Sequence, residues 1–290
     1  MYVYINGDIQ EAGDARLSVF EHGFMYGLGL FETFRINEGH PFLLDDHFRR
    51  MEKGLQWMNI VWEYNRENVL SQLQMLLKAN NWNNAYVRYN ISAGEDKLGL
   101  STEPYRSPTI LIYMKPMPKL QGKQAAAKSG TVVTIPRNTP ETAVRLKSHH
   151  YLNNVLGKRE TGNDPETEGI FLTADGYLAE GVVSNVFWIK GSVLYTPSLE
   201  TGILDGVTRA FVIQLAKKHG MYVREGRFYP AHLYEADEVF VTNSIQEIVR
   251  LTAVDDYSWS DKKETSAIDL FQQEYAEYRR ALWRAEEIFQ

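Results

Sequence analysis

The sequence predicts an α+β protein of two domains, and three observations carry that expectation. Helical periodicity and strand alternation occur in mixed order, not as a regular strand–helix repeat. Short turns repeatedly join strand-like runs. An aperiodic stretch with two prolines and two lysines, Lys115-Pro116-Met117-Pro118-Lys119, divides the 290 residues unequally. The expected units are a smaller N-terminal domain, 1–118, and a larger one with mixed sheets, 119–290.

Taken in order, the chain opens on two short strands about Asn6-Gly7, a two-residue hairpin signal. Ser18 to Arg35 then carries Gly23, Gly27 and Gly29 among large residues, ahead of a strand from Phe31 to Ile36. Glycines so spaced mark either a simple turn or a close approach of backbone. Leu44, Phe48, Met51, Leu55 and Met58 recur at steps of four and three, one face of a helix, with Arg50 off the centre of that stripe. A second helix is expected from Glu67 to Ala79, with Val69, Leu73, Leu76 and Leu77 inward. Tyr86 to Ser92 alternates, with Val87, Tyr89 and Ile91 on one face and Tyr86, Arg88 and Asn90 on the other. Arg88 in mid-strand suits the wall of a wet cavity and a solvent-facing strand equally. Thr109 to Met114 closes the first domain.

The second domain is expected to begin with a short helix over Gln124 to Lys128 and a strand from Thr131 to Ile135. An extended piece through Arg145 and Lys147 should turn into a helix at Ser148. Strands follow at Gly169–Thr173, Val183–Ile189 and Ser192–Tyr195. Asp205 reads as the N-cap of a helix from Gly206 to His219, stopped by Gly220. Further strands lie at Tyr222–Glu225 and Glu238–Thr242. A last helix presents Ile268, Phe271, Tyr275, Tyr278 and Leu282 to the core.

Composition limits the chemistry. Without cysteine there is neither disulfide nor thiolate chemistry. A net charge of −6 and the lack of a basic run give no sign of nucleic-acid or membrane-surface binding. No apolar run reaches the roughly 20 residues of a membrane span, and the first residues lack a signal-peptide pattern, so a soluble cytoplasmic protein is the expectation. The seven histidines include the pair His149-His150 but stand at no metal-ligand spacing, so no metal site is expected.

Four stretches carry the functional reading. The first is Arg145-Leu146-Lys147-Ser148-His149-His150-Tyr151-Leu152-Asn153-Asn154, and the second Tyr177 to Phe187 around Glu180. The third is Thr201-Gly202-Ile203-Leu204-Asp205-Gly206-Val207-Thr208-Arg209, and the last Val241 to Glu247 around Ser244. A lysine, a carboxylate, a helix start and a hydroxyl-rich turn, in that order, resemble the class IV aminotransferases, pyridoxal-phosphate (PLP) enzymes of fold type IV. The resemblance spans nearly the whole chain and implies the two-domain fold of D-amino-acid aminotransferase.

It also implies roles. Lys147 would hold the cofactor's aldehyde and act as the base; on its own spacing it reads more readily as a solvated surface amine. Glu180 would face the pyridine nitrogen and keep it protonated. Val207 and Thr208 open a helix whose amides favour an anion, although a plain cap by Asp205 would satisfy similar geometry. Ser244 stands where relatives carry a phosphate-binding threonine, and His47-x-x-Arg50 matches a phosphate-arginine pattern. Tyr151 would reach the ring's phenolic oxygen, at a spacing from Lys147 one residue shorter than in branched-chain aminotransferases. Tyr26 would line the substrate side, and Arg88 stands where relatives keep a substrate-carboxylate arginine.

Within the family, Tyr26-Gly27-Leu28-Gly29-Leu30-Phe31-Glu32-Thr33-Phe34-Arg35 and the Lys147 stretch resemble the aminodeoxychorismate lyases of folate synthesis. The implied reaction eliminates pyruvate to leave 4-aminobenzoate. The alternative is a D-amino-acid or branched-chain aminotransferase. A homodimer acting on a small-molecule substrate is the expected assembly.

Overall fold

Alternation in Tyr86–Ser92 sets the architecture of the first part of the chain. Val87, Tyr89 and Ile91 are fully buried on one face of their strand, where two helices lay their apolar stripes. The computed structural model describes residues 1–118, 127–259 and 266–289. Contacts group the chain into two units, one of Met1–Gln121, Leu146–His150 and Arg279–Arg284, the other of Gly122–Arg145, Tyr151–Tyr278 and Ala285–Gln290. Where a single division after Pro118 is expected, the units interleave, and the Lys147 stretch belongs with the first.

The first unit contains β1 (Tyr2–Ile5), β2 (Asp8–Glu11), the short helix α1 (His22–Tyr26), β3 (Gly29–Asn37) and β4 (His40–Pro41). Helices α2 (Leu44–Trp57) and α3 (Arg66–Asn80) follow, then β5 (Ala85–Ser92) and β6 (Thr109–Pro116). The six strands form an antiparallel sheet in the order β2-β1-β6-β5-β3-β4. Phe48 and Leu55 of α2 and Leu73 and Leu76 of α3 are essentially inaccessible against Phe34, Val87 and Tyr89. Burying each such side chain is worth about 1.5–3 kcal/mol. Asn65 caps α3 by accepting from the Asn68 amide, and Asn81 in the left-handed region ends it.

The second unit holds β7 (Lys128–Val132), α4 (Leu152–Thr161), β8 (Thr167–Leu172), β9 (Leu178–Gly181), β10 (Asn185–Lys190) and β11 (Val193–Pro197). Next come α5 (Val207–Lys218), β12 (Tyr222–Gly226), α6 (Pro230–Tyr234), β13 (Glu238–Asn243), β14 (Glu247–Val254), β15 (Tyr257–Ser258) and α7 (Ala267–Tyr278). Its mixed sheet runs β12-β11-β10-β13-β14-β7-β8-β9, with β15 on β14. Phe187 and Phe240 stack at 5.1 Å on neighbouring strands, and Phe271 of α7 packs edge-on to Phe240.

Several expected boundaries move. The strand expected at Thr131–Ile135 is β7, starting at Lys128, so the expected helix over Gln124–Lys128 fails at its last residue; 124–126 lie outside the described residues, as does Lys119. Pairing with β8 and β14 on both sides overrides the alanine propensity there. The last helix stops at Tyr278, and Leu282 belongs to the first unit, where its carbonyl accepts from the Leu43 amide. Ser148 does not start a helix: it bridges to Leu30, and α4 begins at Leu152.

Candidate active site

The strand-like half of the Lys147 stretch is held by β3. Phe31 N–H donates to the Lys147 carbonyl at 2.9 Å, and His149 N–H donates to the Gly29 carbonyl at 2.9 Å. These two bonds keep Lys147 to His149 extended and so delay the helix. The half-buried Lys147 places its Nζ 4.7 Å from the centre of the Phe31 ring. Arg88, one strand over on the same face, lays its guanidinium 3.6 Å from that ring and donates to the Asn90 Oδ1 at 3.1 Å. Phe31 thus carries two cations, each gaining roughly 0.5–2 kcal/mol from the ring. The face of the sheet away from α2 and α3 is therefore positive, apolar-walled and partly desolvated.

The glycines of the Tyr26–Arg35 motif find their reason here. A Cβ on Gly27 would stand 2.5 Å from the His150 ring, and one on Gly29 would stand 2.5 Å from the His149 ring. The two motifs pack on each other, glycine against histidine, and Gly27 at φ 71 also ends α1 in the left-handed region. Close approach is the reading the structure supports, not a simple turn. Tyr26 turns its ring edge to His22 at 4.8 Å, and its hydroxyl accepts from the Gly99 amide at 3.1 Å.

Arg50 projects from α2 onto Glu32 of β3. It donates through Nε at 2.8 Å and through a terminal nitrogen at 2.6 Å, while His47 Nδ1 lies 2.7 Å from the same carboxylate. Burial pushes Glu32 up, but the Arg50 charge and the His47 hydrogen bond outweigh it and hold the carboxyl at about 2. Arg50 and His47 meet on the Glu32 carboxylate, a partner that the sequence reading does not include.

In the second unit Glu180 ends β9 and is almost fully buried. One oxygen accepts from Arg137 Nε at 2.8 Å and lies 3.7 Å from Arg145 Nε. The other accepts from the Leu204 amide at 2.9 Å and from Asn185 Nδ2 at 3.5 Å. Arg137 also donates to Asn153 and Asn154 of α4. Arg145 is tied to the carbonyls of Gly202 and Asn138, and burial with the neighbouring Arg137 lowers it to about 10. Arg137 and Asn185 are missing from the sequence reading, because Arg137 sits in an aperiodic Pro-Arg-Asn-Thr-Pro run whose meaning is purely spatial.

The start of α5 differs from the expectation. Asp205 is not the N-cap: α5 begins at Val207 and its N-cap is Gly206, which makes no side-chain cap hydrogen bond. Asp205 is 58% exposed and lies 3.6 Å from Arg209 instead. A Cβ at position 206 would run into Asn185 Oδ1, so glycine stands there and offers no capping oxygen. The N-cap side chain therefore satisfies none of the N–H groups at the helix start, whose dipole favours an anion. Thr208, 2% exposed, shares a 3.2 Å hydrogen bond with Ser244, which stands in a turn where Asn243 Oδ1 accepts from the Ile245 and Gln246 amides. Val207 and Thr208 lead α5, and the half-buried Tyr151 precedes α4. No group of three or more His, Cys, Asp or Glu suited to a metal occurs among the described residues, nor does a helix long and apolar enough to cross a membrane.

A six-stranded antiparallel sheet backed by two helices, a separate mixed sheet, an amine on a segment bonded to β3 and an arginine-held carboxylate on β9 together describe one class of protein. Residues 29–254 match the class IV amino-transferase family, and the chain belongs to it. Among curated proteins it is 49% identical over 273 residues, 92% of each chain, to the aminodeoxychorismate lyase of Bacillus subtilis. The D-alanine aminotransferase of Bacillus licheniformis is 28% identical over 255 residues, covering 88% of this chain and 89% of that one. The crystal structure of the Escherichia coli branched-chain amino acid aminotransferase superposes with a TM-score of 0.84 at 28% identity, over 96% of this chain and 94% of the other.

Proposed function

We propose that the chain is a PLP-dependent aminodeoxychorismate lyase, converting 4-amino-4-deoxychorismate to 4-aminobenzoate and pyruvate. The observation that carries the reading is the mutual packing of Gly27 and Gly29 on His150 and His149. It joins the two stretches that resemble the lyases, in a chain 49% identical to one.

The donor set fits the cofactor. An uncapped helix start with the Thr208 and Ser244 hydroxyls suits a phosphate, Arg50 adds a guanidinium already matched by Glu32, and Lys147 offers the amine for the aldehyde. Glu180, which accepts from Arg137 and lies 3.7 Å from Arg145, is the carboxylate assigned to face the pyridine nitrogen. Tyr151 is assigned to the ring's phenolic oxygen. When bound, PLP supplies an electron sink beside the substrate amine. The Lys147 amine would hold the cofactor's aldehyde and, once freed, would serve as the base for the proton on the amine-bearing carbon. The ring carbon–oxygen bond to the enolpyruvyl group would break, the group leaving as enolpyruvate that takes up a proton to become pyruvate, and the ring would become aromatic. Arg88 holds a substrate carboxylate and Tyr26 lines the substrate side. The same reading makes the enzyme a cytoplasmic homodimer of folate synthesis without nucleic-acid partners. Exposed Val19, Phe20, Phe24, Leu98 and Leu100 in the first unit favour self-association. A monomer in sedimentation at micromolar concentration would remove the dimer.

The test is turnover without a second substrate. A lyase releases pyruvate and 4-aminobenzoate continuously from aminodeoxychorismate alone, whereas a transaminase stalls without a keto acid. D-alanine or L-leucine should change the cofactor's absorbance slowly at most. A change within seconds, with no pyruvate from aminodeoxychorismate, would leave the transaminase in its place. Borohydride reduction and peptide mass spectrometry should find the cofactor on Lys147, and Lys147→Ala should fold yet not turn over; label on another lysine ends that assignment.

A further inference from the structure

His22 and His149 of the first unit both pack near the Tyr26–Arg35 motif, and they differ in one respect. His22 is fully buried and both ring nitrogens are engaged, Nδ1 with the Tyr105 hydroxyl at 2.8 Å and Nε2 with the Lys97 carbonyl at 2.9 Å. That is a structural histidine. His149 is held as firmly: its N–H is bonded to Gly29, its ring lies against the Gly29 backbone, and it stacks on Phe31 at 6.3 Å with 23° between planes. Yet its Nε2 is buried and has no hydrogen-bond partner among the described residues. Buried polar atoms left without a partner lower stability and are uncommon in native proteins.

The surroundings say what could fill the gap. The Phe31 ring on which His149 stacks also carries the Arg88 guanidinium and the Lys147 amine. Burial, with Arg88 and His150 nearby, lowers the imidazole to about 4, so it is neutral near pH 7 and carries one N–H to donate. Beside two cations the complementary ligand group is an anionic oxygen. Gly29 has no side chain to displace the ring, and the extended backbone fixes its origin, so the nitrogen is oriented before any ligand arrives.

We propose that His149 is a substrate-binding residue whose Nε2–H donates to a carboxylate oxygen of the substrate, sharing that carboxylate with Arg88. The inference rests on the lyase reading and sharpens it: the ligand it selects is an aromatic or cyclohexadiene carboxylate, of which 4-aminobenzoate is the retained half. A substrate lacking that carboxylate would leave the nitrogen unpartnered and gain nothing from it.

The experiment measures binding of 4-aminobenzoate and of aniline, which lacks the carboxylate, to the PLP-loaded enzyme by calorimetry, with lyase kinetics in parallel. His149→Phe keeps the stack on Phe31 and removes the nitrogen; His149→Gln offers an N–H at similar reach. His149→Phe should weaken 4-aminobenzoate about tenfold, the order of one hydrogen bond to a charged group. Aniline affinity should stay within twofold, the kinetic loss should fall on KM rather than kcat, and the melting temperature should hold or rise. His149→Gln should recover most of the affinity. Unchanged 4-aminobenzoate binding in His149→Phe, or an equal loss for aniline, would overturn the inference while leaving the lyase reading intact. A wild-type enzyme that neither binds 4-aminobenzoate nor releases pyruvate would overturn both.

Discussion

Two buried carboxylates in this chain are matched by arginine, and they are built in opposite ways. Glu32 is a strand side chain facing a helix; both of its partners, His47 and Arg50, lie one turn apart on α2, within one core. Glu180 is gripped by Arg137 and Arg145 from one irregular segment, by the Leu204 amide from another, and by the nearby Asn185, all of the second unit. A helix–strand cross-link forms from elements that must pack anyway. Convergence of irregular segments on one oxygen pair costs chain entropy that packing does not require. The first arrangement is therefore read as stability, and the second as a site. The contrast also ranks the phosphate donors. Arg50 has its charge matched by Glu32, whereas the start of α5 has no side-chain cap.

The sharpest way to break this comparison is to neutralise each carboxylate in turn. Glu180→Gln should lower kcat by about 100-fold, the scale of losing one preorganised electrostatic partner, with a cooperative thermal transition retained. A loss under fivefold would return Glu180 to the structural class.

Glu32→Ala should instead cost about 3–5 kcal/mol of stability in urea unfolding, because it strands Arg50 and His47 in the core. A loss below 1 kcal/mol would show that the cross-link is dispensable.

Acid gives a graded version of the same test. The Glu32 carboxyl falls from its ordinary 4.5 to about 2 in the folded chain. Its contribution is complete above the unfolded value and is lost as pH falls from about 4.5 towards 2; a shift of that size corresponds to roughly 3 kcal/mol. Burial first, opposed by Glu32, lowers His47, whose contribution falls away as pH drops below its ordinary 6.5 and adds to the loss. Unfolding followed from pH 6 to 2 should therefore be less steep in Glu32→Gln than in wild type. Parallel acid limbs would refute the assignment.

The smallest effects should come from the phosphate donors. Thr208→Val should weaken PLP binding by about 1 kcal/mol, and Arg50→Ala by about 1.5 kcal/mol, near the low end for a charged hydrogen bond because Glu32 already matches it. Equilibrium dialysis of the cofactor would reveal a reversed or larger gap.

How much of this was legible depended on range. The α2 stripe, the β5 alternation and the α3 helix follow from period alone, and their buried faces lie where period puts them. The start of α4 was misjudged because Ser148 and His149 bond to β3, more than a hundred residues away. The Asp205 cap failed because glycine at 206 is required by the Asn185 side chain, a contact that local spacing does not encode.

By itself the sequence determined which side chains share a face, the order of lysine, carboxylate, helix start and hydroxyl turn, and the absence of thiol chemistry. These depend on residue identity and on repeats of two and 3.6, which neighbours along the chain set. Only the tertiary structure decided that Lys147 rides on Phe31, that Arg137 and Arg145 hold Glu180, that Arg50 belongs first to Glu32, and that His149 keeps an unpaired nitrogen. Each of these is a contact between segments distant in sequence. Such contacts form only when strand pairing and core packing have closed the intervening loops, so local pattern carries no trace of them.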